Sequence, residues 1–253
     1  MRTAVITGAS SGLGAELVAA AAKRFHDIEC FWLMARNTEK LHETAKCLSK
    51  DKKAEIISVD LATNEGYAIY AEKLEAEKPD VVLLINAAGL GFLGNVHEST
   101  WQKQVQMVDV NVRGLTAVTT ITLPYMERGG KIINISSIAS FCPNPRMTGY
   151  SSTKAYVSSF GAGLNDELRK LGIRVTTVSP GPLDTVFLEK ADIKGNSKMF
   201  EFLPFCDVKK TAEGAVKAAA KGRKYYTPKV FFKLYRVVAK IIPQGIMVKI
   251  ART

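Results

Sequence analysis

Tyr150 and Lys154 stand one helical turn apart, a spacing that puts both side chains on the same face of a helix. A phenol with a pKa of about 10 is a poor base at neutral pH. A nearby ammonium favours the phenolate and lowers that pKa, so the pair can give or take a proton. Ser137 follows directly on the apolar run Lys131–Ser136. A hydroxyl at such a strand end can hold a substrate oxygen and stabilise charge developing on it. Strand alternation turns the adjacent Ser136 to the opposite side, so only one of the two hydroxyls can take that role. Tyr and Lys at this spacing are also common surface neighbours, so the pair alone decides little. His26, His42 and His97 lie away from these motifs, which argues against a Ser-His-Asp hydrolase.

A second constellation lies near the amino end, in Thr7-Gly8-Ala9-Ser10-Ser11-Gly12-Leu13-Gly14. It follows a short apolar run and leads straight into a helical pattern. Glycines there permit a tight turn, close approach of the backbone to a pyrophosphate, and close helix–strand packing. The helix N-terminus adds free N–H groups for phosphate. The spacing G-x3-G-x-G differs from G-x-G-x-x-G, and the Gly-Lys-Ser/Thr of a Walker loop is missing. Such glycines also fit a purely structural turn.

Elements that must position these residues are legible as alternation. Apolar runs at Thr3–Thr7, Cys30–Met34, Ile56–Val59, Val81–Ile85, Lys131–Ser136 and Ile173–Val178 are nearly continuous, as in strands covered on both faces. Amphipathic stretches between them, such as Gly12–Phe25, Thr38–Lys50 and Tyr150–Leu171, read as helices. A short seventh strand is expected near Lys224–Thr227. The expected class is α/β: a Rossmann-type doubly wound parallel sheet of about seven strands, helices on both faces, in a single domain over 1–253. Ligands in such sheets lie beyond the carboxyl ends of the strands.

The fourth run ends in Asn86-Ala87-Ala88-Gly89, and Asn111, Ser137, Tyr150-Ser-Ser-Thr-Lys154 and Pro180-Gly181 follow in that order. With the glycine turn, this set resembles the short-chain dehydrogenase/reductase family, over residues 1 to 190. The resemblance implies an oxidoreductase that interconverts a carbonyl and a secondary alcohol with a nicotinamide cofactor. It assigns Tyr150 the proton transfer, Ser137 the substrate oxygen, Lys154 the nicotinamide ribose, and Asn111 a water-linked proton path to the lysine. Gly8, Ser10, Ser11, Gly12, Leu13 and Gly14 would hold the phosphates. Asp60 and Leu61 would meet the adenine, and Asn86, Ala87, Ala88 and Gly89 the adenine-ribose side. Pro180, Gly181 and Thr185 would lie by the carboxamide.

The second strand ends in Ala35-Arg36-Asn37. An NAD enzyme usually places a carboxylate here, whereas Arg36 can pair with a 2′-phosphate. NADP(H) is therefore favoured over NAD(H), with Ser10 adding a hydroxyl contact; the family's second basic residue is missing where Ser11 stands. Phe141, Pro143, Pro145 and Met147 could wall an apolar pocket or simply pack on their own protein. A lid over 183–207, with Phe187, Leu188, Met199, Phe200, Phe202, Leu203 and Phe205, would cover a lipid-, fatty-acyl- or steroid-like substrate.

Net charge is +11, and the surplus lies entirely in 208–253, which hold twelve Lys or Arg and one acid, Glu213. A helix is expected from Val230 to Ile242, ended by Pro243, with Phe231, Leu234, Tyr235, Val238 and Ile242 in one stripe and Lys233, Arg236 and Lys240 on another face. This basic amphipathic segment, 228–253, either closes the core or touches an anionic membrane; nucleic acid is disfavoured. Cys30, Cys47, Cys142 and Cys206 show no metal spacing and read as free thiols in a reducing compartment. No apolar stretch reaches the ~18 residues of a bilayer span, and Met1 leads into an apolar run without a secretory pattern. A cytoplasmic homo-oligomer is the expectation, with peripheral membrane contact through its tail as a second reading beside packing on the core. A catalytically silent cofactor-sensing module and a membrane-surface protein are the alternatives on the same scaffold.

Overall fold

The structure, a computed structural model, describes residues 1–191, 197 and 202–251. Its strands are β1 (Arg2–Thr7), β2 (Cys30–Ala35), β3 (Lys53–Ser58), β4 (Asp80–Asn86), β5 (Lys131–Ile135), β6 (Arg174–Val178) and β7 (Tyr225–Tyr226). The helices are α1 (Gly12–Arg24), α2 (Thr38–Ala45), α3 (Asn64–Glu77), α4 (Trp101–Val108), α5 (Leu115–Thr122), α6 (Thr148–Glu167), α7 (Val186–Lys190), α8 (Val208–Ala220), α9 (Val230–Ile241) and α10 (Gln244–Ile250). A π-helical turn, Asp109–Gly114, joins α4 to α5.

The strands form one parallel sheet in the order β3-β2-β1-β4-β5-β6-β7. Side-chain alternation splits its core in two. Ala4 and Ile6 face a layer holding Leu17, Val18 and Ala21 of α1 and Ala215, Val216 and Ala219 of α8. Val5 faces the other layer, with Trp32 and with Tyr70, Leu74, Val118 and Leu164 of α3, α5 and α6. Burial on both faces explains the continuous apolar runs. β3 begins at Lys53, three residues before its expected start, because this edge strand leaves Lys53, Ala54 and Glu55 partly open to solvent. Apolar content marks only its second half.

The strand order reverses between β1 and β4, which pair as far as Thr7 and Asn86. The crevice of such a fold opens at this point, beyond the carboxyl ends of the two strands. α9 ends at Ile241, one residue before its expected limit, and Pro243 then opens α10. Both helices lie over the loop after β5, where Tyr235, Val238, Ala239 and Ile242 pack with Cys142, Met247 and Ala251. Among the described residues, no helix is long and apolar enough to cross a membrane.

Candidate active site

A cavity of about 610 Å³ occupies the crevice and runs from the end of β2 to the C-terminal helices. Its first half is mostly backbone. Thr7 Oγ1 accepts from the amides of Ala87 and Ala88, both at 3.1 Å, and so ties the turns after β1 and β4 together. Gly8 and Gly12 adopt φ of +66° and +54°, which glycine tolerates without strain. A Cβ on Gly14 would lie 2.0 Å from the Gly8 carbonyl oxygen, so α1 can start this close to β1 only with glycine there. Gly8, Ser10, Ser11, Gly12, Leu13 and Gly14 all line the cavity. Ser11 makes no side-chain cap, and the first turn of α1 carries no acid. That leaves uncapped N–H donors and a positive dipole end beside the cavity, a setting that fits a pyrophosphate.

Arg36, Asp60 and Leu61 lie at the outer end of this half. The Arg36 guanidinium is largely exposed and stands 3.7 Å from the Asp60 carboxylate. Lys40, which sequence reasoning missed, joins it on the lining. Asn37 accepts from the Lys40 amide at 2.8 Å, fixing the start of α2 and with it the lysine. The pattern Arg36-x-x-x-Lys40 at a helix start was the available signal.

Ala87, Ala88 and Gly89 line the cavity, but Asn86 does not. Its amide is buried and donates to Thr119 Oγ1 and Asn134 Oδ1, both at 2.9 Å, bracing β4 against α5 and β5. Asn111 is also off the lining. It sits in the π-helical turn, accepts from Leu90 N at 2.9 Å, and donates to Leu90 O at 2.8 Å and Thr153 Oγ1 at 3.0 Å. Those three bonds clamp the loop after β4 to the residue preceding Lys154. A Cβ on Gly89 would meet both Asn111 Oδ1 and Lys154 Nζ at 3.2 Å, so the two polar ends converge on that glycine.

Ser137, Tyr150 and Lys154 meet where the two halves join. Ser137 is hydrogen-bonded to the Tyr150 hydroxyl. Its Oγ also accepts from Ala139 N at 3.1 Å, which holds its rotamer. Lys154 Nζ donates to the Ile135 carbonyl at 2.9 Å and lies 5.8 Å from the centre of the Tyr150 ring. Ser136 turns the other way, donating to the Lys154 carbonyl at 2.8 Å and sharing a bond with Ser158. Burial pushes the Tyr150 phenol up to about 12, against a smaller lowering by the Ser137 bond. Burial likewise pushes Lys154 down to about 8. The downward pull expected of the lysine on the phenol is not among the causes of its shift; desolvation disfavours each charged form.

Pro180, Gly181 and Thr185 close the junction from below. Thr185 caps α7 by accepting from Phe187 N at 3.3 Å. A Cβ on Gly181 would lie 2.2 Å from the ring of Phe232, which is wholly buried. Seating that ring contributes about 1.5–3 kcal/mol and anchors α9 beside the junction.

The second half is built from apolar side chains. Met107, Met147, Leu188 and Ala191 cluster with Tyr150, and Leu90, Phe92, Leu93 and Phe187 pack on them. In the segment 183–207, expected to form a lid, Ala191 O accepts from Leu93 N at 2.9 Å, and Cys206 N donates to Pro182 O at 2.7 Å. Phe187, Leu188 and Leu203 line the cavity, whereas Phe202 and Phe205 are exposed. Met199 and Phe200 lie outside the described residues. Of the four loop residues singled out in the sequence, only Met147 lines the cavity. Phe141 instead packs on Tyr235, with ring centres 5.8 Å apart. Sequence reasoning missed Phe231, Tyr235, Ile250 and Ala251, which complete the wall.

This fold and cleft define an oxidoreductase on a nucleotide-binding, Rossmann-type sheet. The chain belongs to the short-chain dehydrogenase family, whose sequence profile matches residues 2–195. It is 34% identical over 221 residues to an uncharacterized oxidoreductase of Staphylococcus saprophyticus, covering 86% of this chain and 90% of that one. A short-chain dehydrogenase from Sphingobium yanoikuyae, solved in complex with NADPH, is similar with a TM-score of 0.80 and 26% identity, over 97% of this chain and 98% of that one. One from Burkholderia phymatum, in complex with NAD, shares the fold with a TM-score of 0.79 at 21% identity, over 100% of this chain and 95% of that one.

Proposed function

We propose that the chain is an NADP(H)-dependent oxidoreductase that interconverts a ketone or aldehyde and the corresponding alcohol on an apolar, lipid-like substrate. The observation that carries this reading is the Tyr150 hydroxyl, bonded to Ser137 and beside Lys154, at the seam between a glycine-built cleft and an apolar one. The dinucleotide, when bound, supplies or accepts the hydride. During reduction Tyr150 gives its proton to the carbonyl oxygen, and Ser137 donates a hydrogen bond to the same oxygen. Lys154, drawn down to about 8 by burial and still mostly protonated at neutral pH, hydrogen-bonds the ribose and returns a proton to the tyrosine. Asn111 acts one step back, holding the loop at Leu90 and the helix at Thr153.

The turn from Gly8 to Gly14 holds the pyrophosphate. Asp60, Leu61, Ala87, Ala88 and Gly89 receive the adenosine. Solved relatives carry NADPH or NAD, so the choice rests on this chain's own cations. Arg36 and Lys40 border the cavity together, and Asp60 is the carboxylate near them. A 2′-phosphate would bind both cations, whereas a ribose hydroxyl would leave Arg36 only its 3.7 Å pair with Asp60 and give Lys40 no anion. One domain carries both halves, the lid and the C-terminal helices forming its substrate side. Cys30, Cys142 and Cys206 are buried free thiols, which suits the reducing cytoplasm. Trp101, Val105 and Val108 leave an exposed apolar face on α4 that suits a second copy of the chain.

The test is a panel of aliphatic, aromatic and steroid-like ketones and alcohols with each cofactor. Turnover of apolar carbonyl compounds with NADPH, at a kcat/KM well above that with NADH, is expected. Turnover of polar sugars alone, or equal use of the two cofactors, would overturn the reading.

A further inference from the structure

α9 is apolar on two sides. Phe232, Tyr235, Val238, Ala239 and Ile242 face the protein. On the other side Val230, Leu234, Val237 and Ile241 follow i, i+4, i+7, i+11 and are 78%, 63%, 52% and 75% exposed. The stripe expected from sequence alone, Phe231, Leu234, Tyr235, Val238 and Ile242, is therefore divided between inside and outside. On α10, Ile246 and Ile250 are exposed as well. The stripe along α9 is one apolar surface, and such a surface marks an interaction site, unlike single exposed side chains.

Its rim is cationic. Lys229, Lys233, Lys240 and Lys249 are exposed, and none forms an ion pair among the described residues. Lys233 and Lys240 run along one edge of the stripe, seven residues apart. The only acid from 208 onward is Glu213. Two copies of the chain joined through this face would bring like charges together. An anionic bilayer satisfies the cations and the apolar stripe at once, as interfacial helices do. The face is also continuous with the cavity: Phe231 and Ile250 are both exposed and part of its lining.

We propose that the outer face of α9 and α10 docks on an anionic lipid surface and turns the mouth of the cavity toward it. A substrate dissolved in the bilayer then enters past Phe231 and Ile250 without crossing bulk water. Docking stands on the surface alone; only the delivery of substrate rests on the function proposed above.

The full chain is co-sedimented with phosphatidylcholine vesicles with and without phosphatidylserine, at low and high salt. Binding to the phosphatidylserine vesicles at low salt, weakened by salt, is expected. Lys233→Glu with Lys240→Glu should lower the partition coefficient tenfold or more, at roughly fivefold per cation lost. Leu234→Ser with Ile241→Ser should abolish binding, while all four substituted positions leave turnover of a water-soluble ketone unchanged. Absence of binding at low salt, or binding indifferent to both pairs of substitutions, overturns the proposal. So does a concentration-dependent dimer that Leu234→Ser dissolves in a chain that ignores vesicles. Vesicle binding by a chain that reduces no carbonyl compound would uphold docking and overturn the function instead.

Discussion

The glycine-turn half of the cavity and its helical half are made of different material. The first is complete by residue 89, and its walls are mostly backbone at the ends of β1 to β4, with the Arg36, Lys40 and Asp60 side chains at its outer end. Side chains would obstruct it, as the 2.0 Å approach at Gly14 shows. The second draws Leu90, Met147, Phe187, Leu203, Phe231, Tyr235 and Ile250 from widely separated parts of the chain. Its walls are side-chain volumes, which substitution can reshape without breaking the sheet. One half therefore admits a single chemical shape, while the other can be retuned to different apolar substrates.

The seam between the halves is where the largest effect is expected. Tyr150→Phe keeps the ring against Phe187 but removes the ionisable group, so turnover should fall by about 10²–10⁴-fold while NADPH affinity, followed by fluorescence, survives. Turnover within threefold of the parent would remove the tyrosine from the reaction. Arg36→Ala tests the far end of the glycine-turn half. It should weaken NADPH by about ten- to a hundredfold, the loss of a charge-assisted contact worth roughly 1.5–3 kcal/mol, and leave NADH nearly unchanged. Equal losses for both cofactors would make Arg36 a structural residue.

Lys154 belongs to both halves, and its burial has a measurable sign. Its folded pKa of about 8 lies below the ordinary 10.5, so between these values the unfolded chain binds more protons. Stability attributable to this group therefore rises from pH 8 to 10.5, and its full cost is felt below pH 8. Lys154→Met should be more stable than the parent at pH 7 by about 1–3 kcal/mol, with the Ile135 carbonyl left without its donor at the low end. Urea titrations should show that gap closing by pH 10.5, and turnover lost throughout. A parent more stable than the variant at pH 7 would contradict it.

A smaller effect is expected from Gly181→Ala, where the two halves share one contact. The added methyl meets the buried Phe232 ring, so α9 must shift at a cost of about 1–3 kcal/mol. KM for an apolar ketone should rise more than Kd for NADPH. The reverse order would place α9 on the cofactor's side of the comparison.

The alternation of apolar runs and helices was enough to specify the sheet, because buried parallel strands must be apolar on both faces. The glycine turn, Ser137 and the Tyr150–Lys154 pair were legible for a similar reason: each depends on spacing within a few residues of one strand end or one helix. Tertiary structure decided the rest. Asn86 and Asn111 stand in recognisable motifs, but only the packing of β4, α5 and α6 shows that their amides bond to the protein and not across the cavity. Lys40 enters the lining through the direction in which α2 leaves β2, which the Arg36-x-x-x-Lys40 spacing hints at but does not fix. The division of α9 into a buried side and an exposed side was undetermined in sequence, since an apolar stripe at helical spacing does not say what it faces. Phe232 seated on Gly181, and Tyr235 on Phe141, turned one side of that helix inward and left Leu234 and Ile241 outside. Contacts between residues so far apart in the chain are set by the packing of whole elements, and local spacing carries no trace of them.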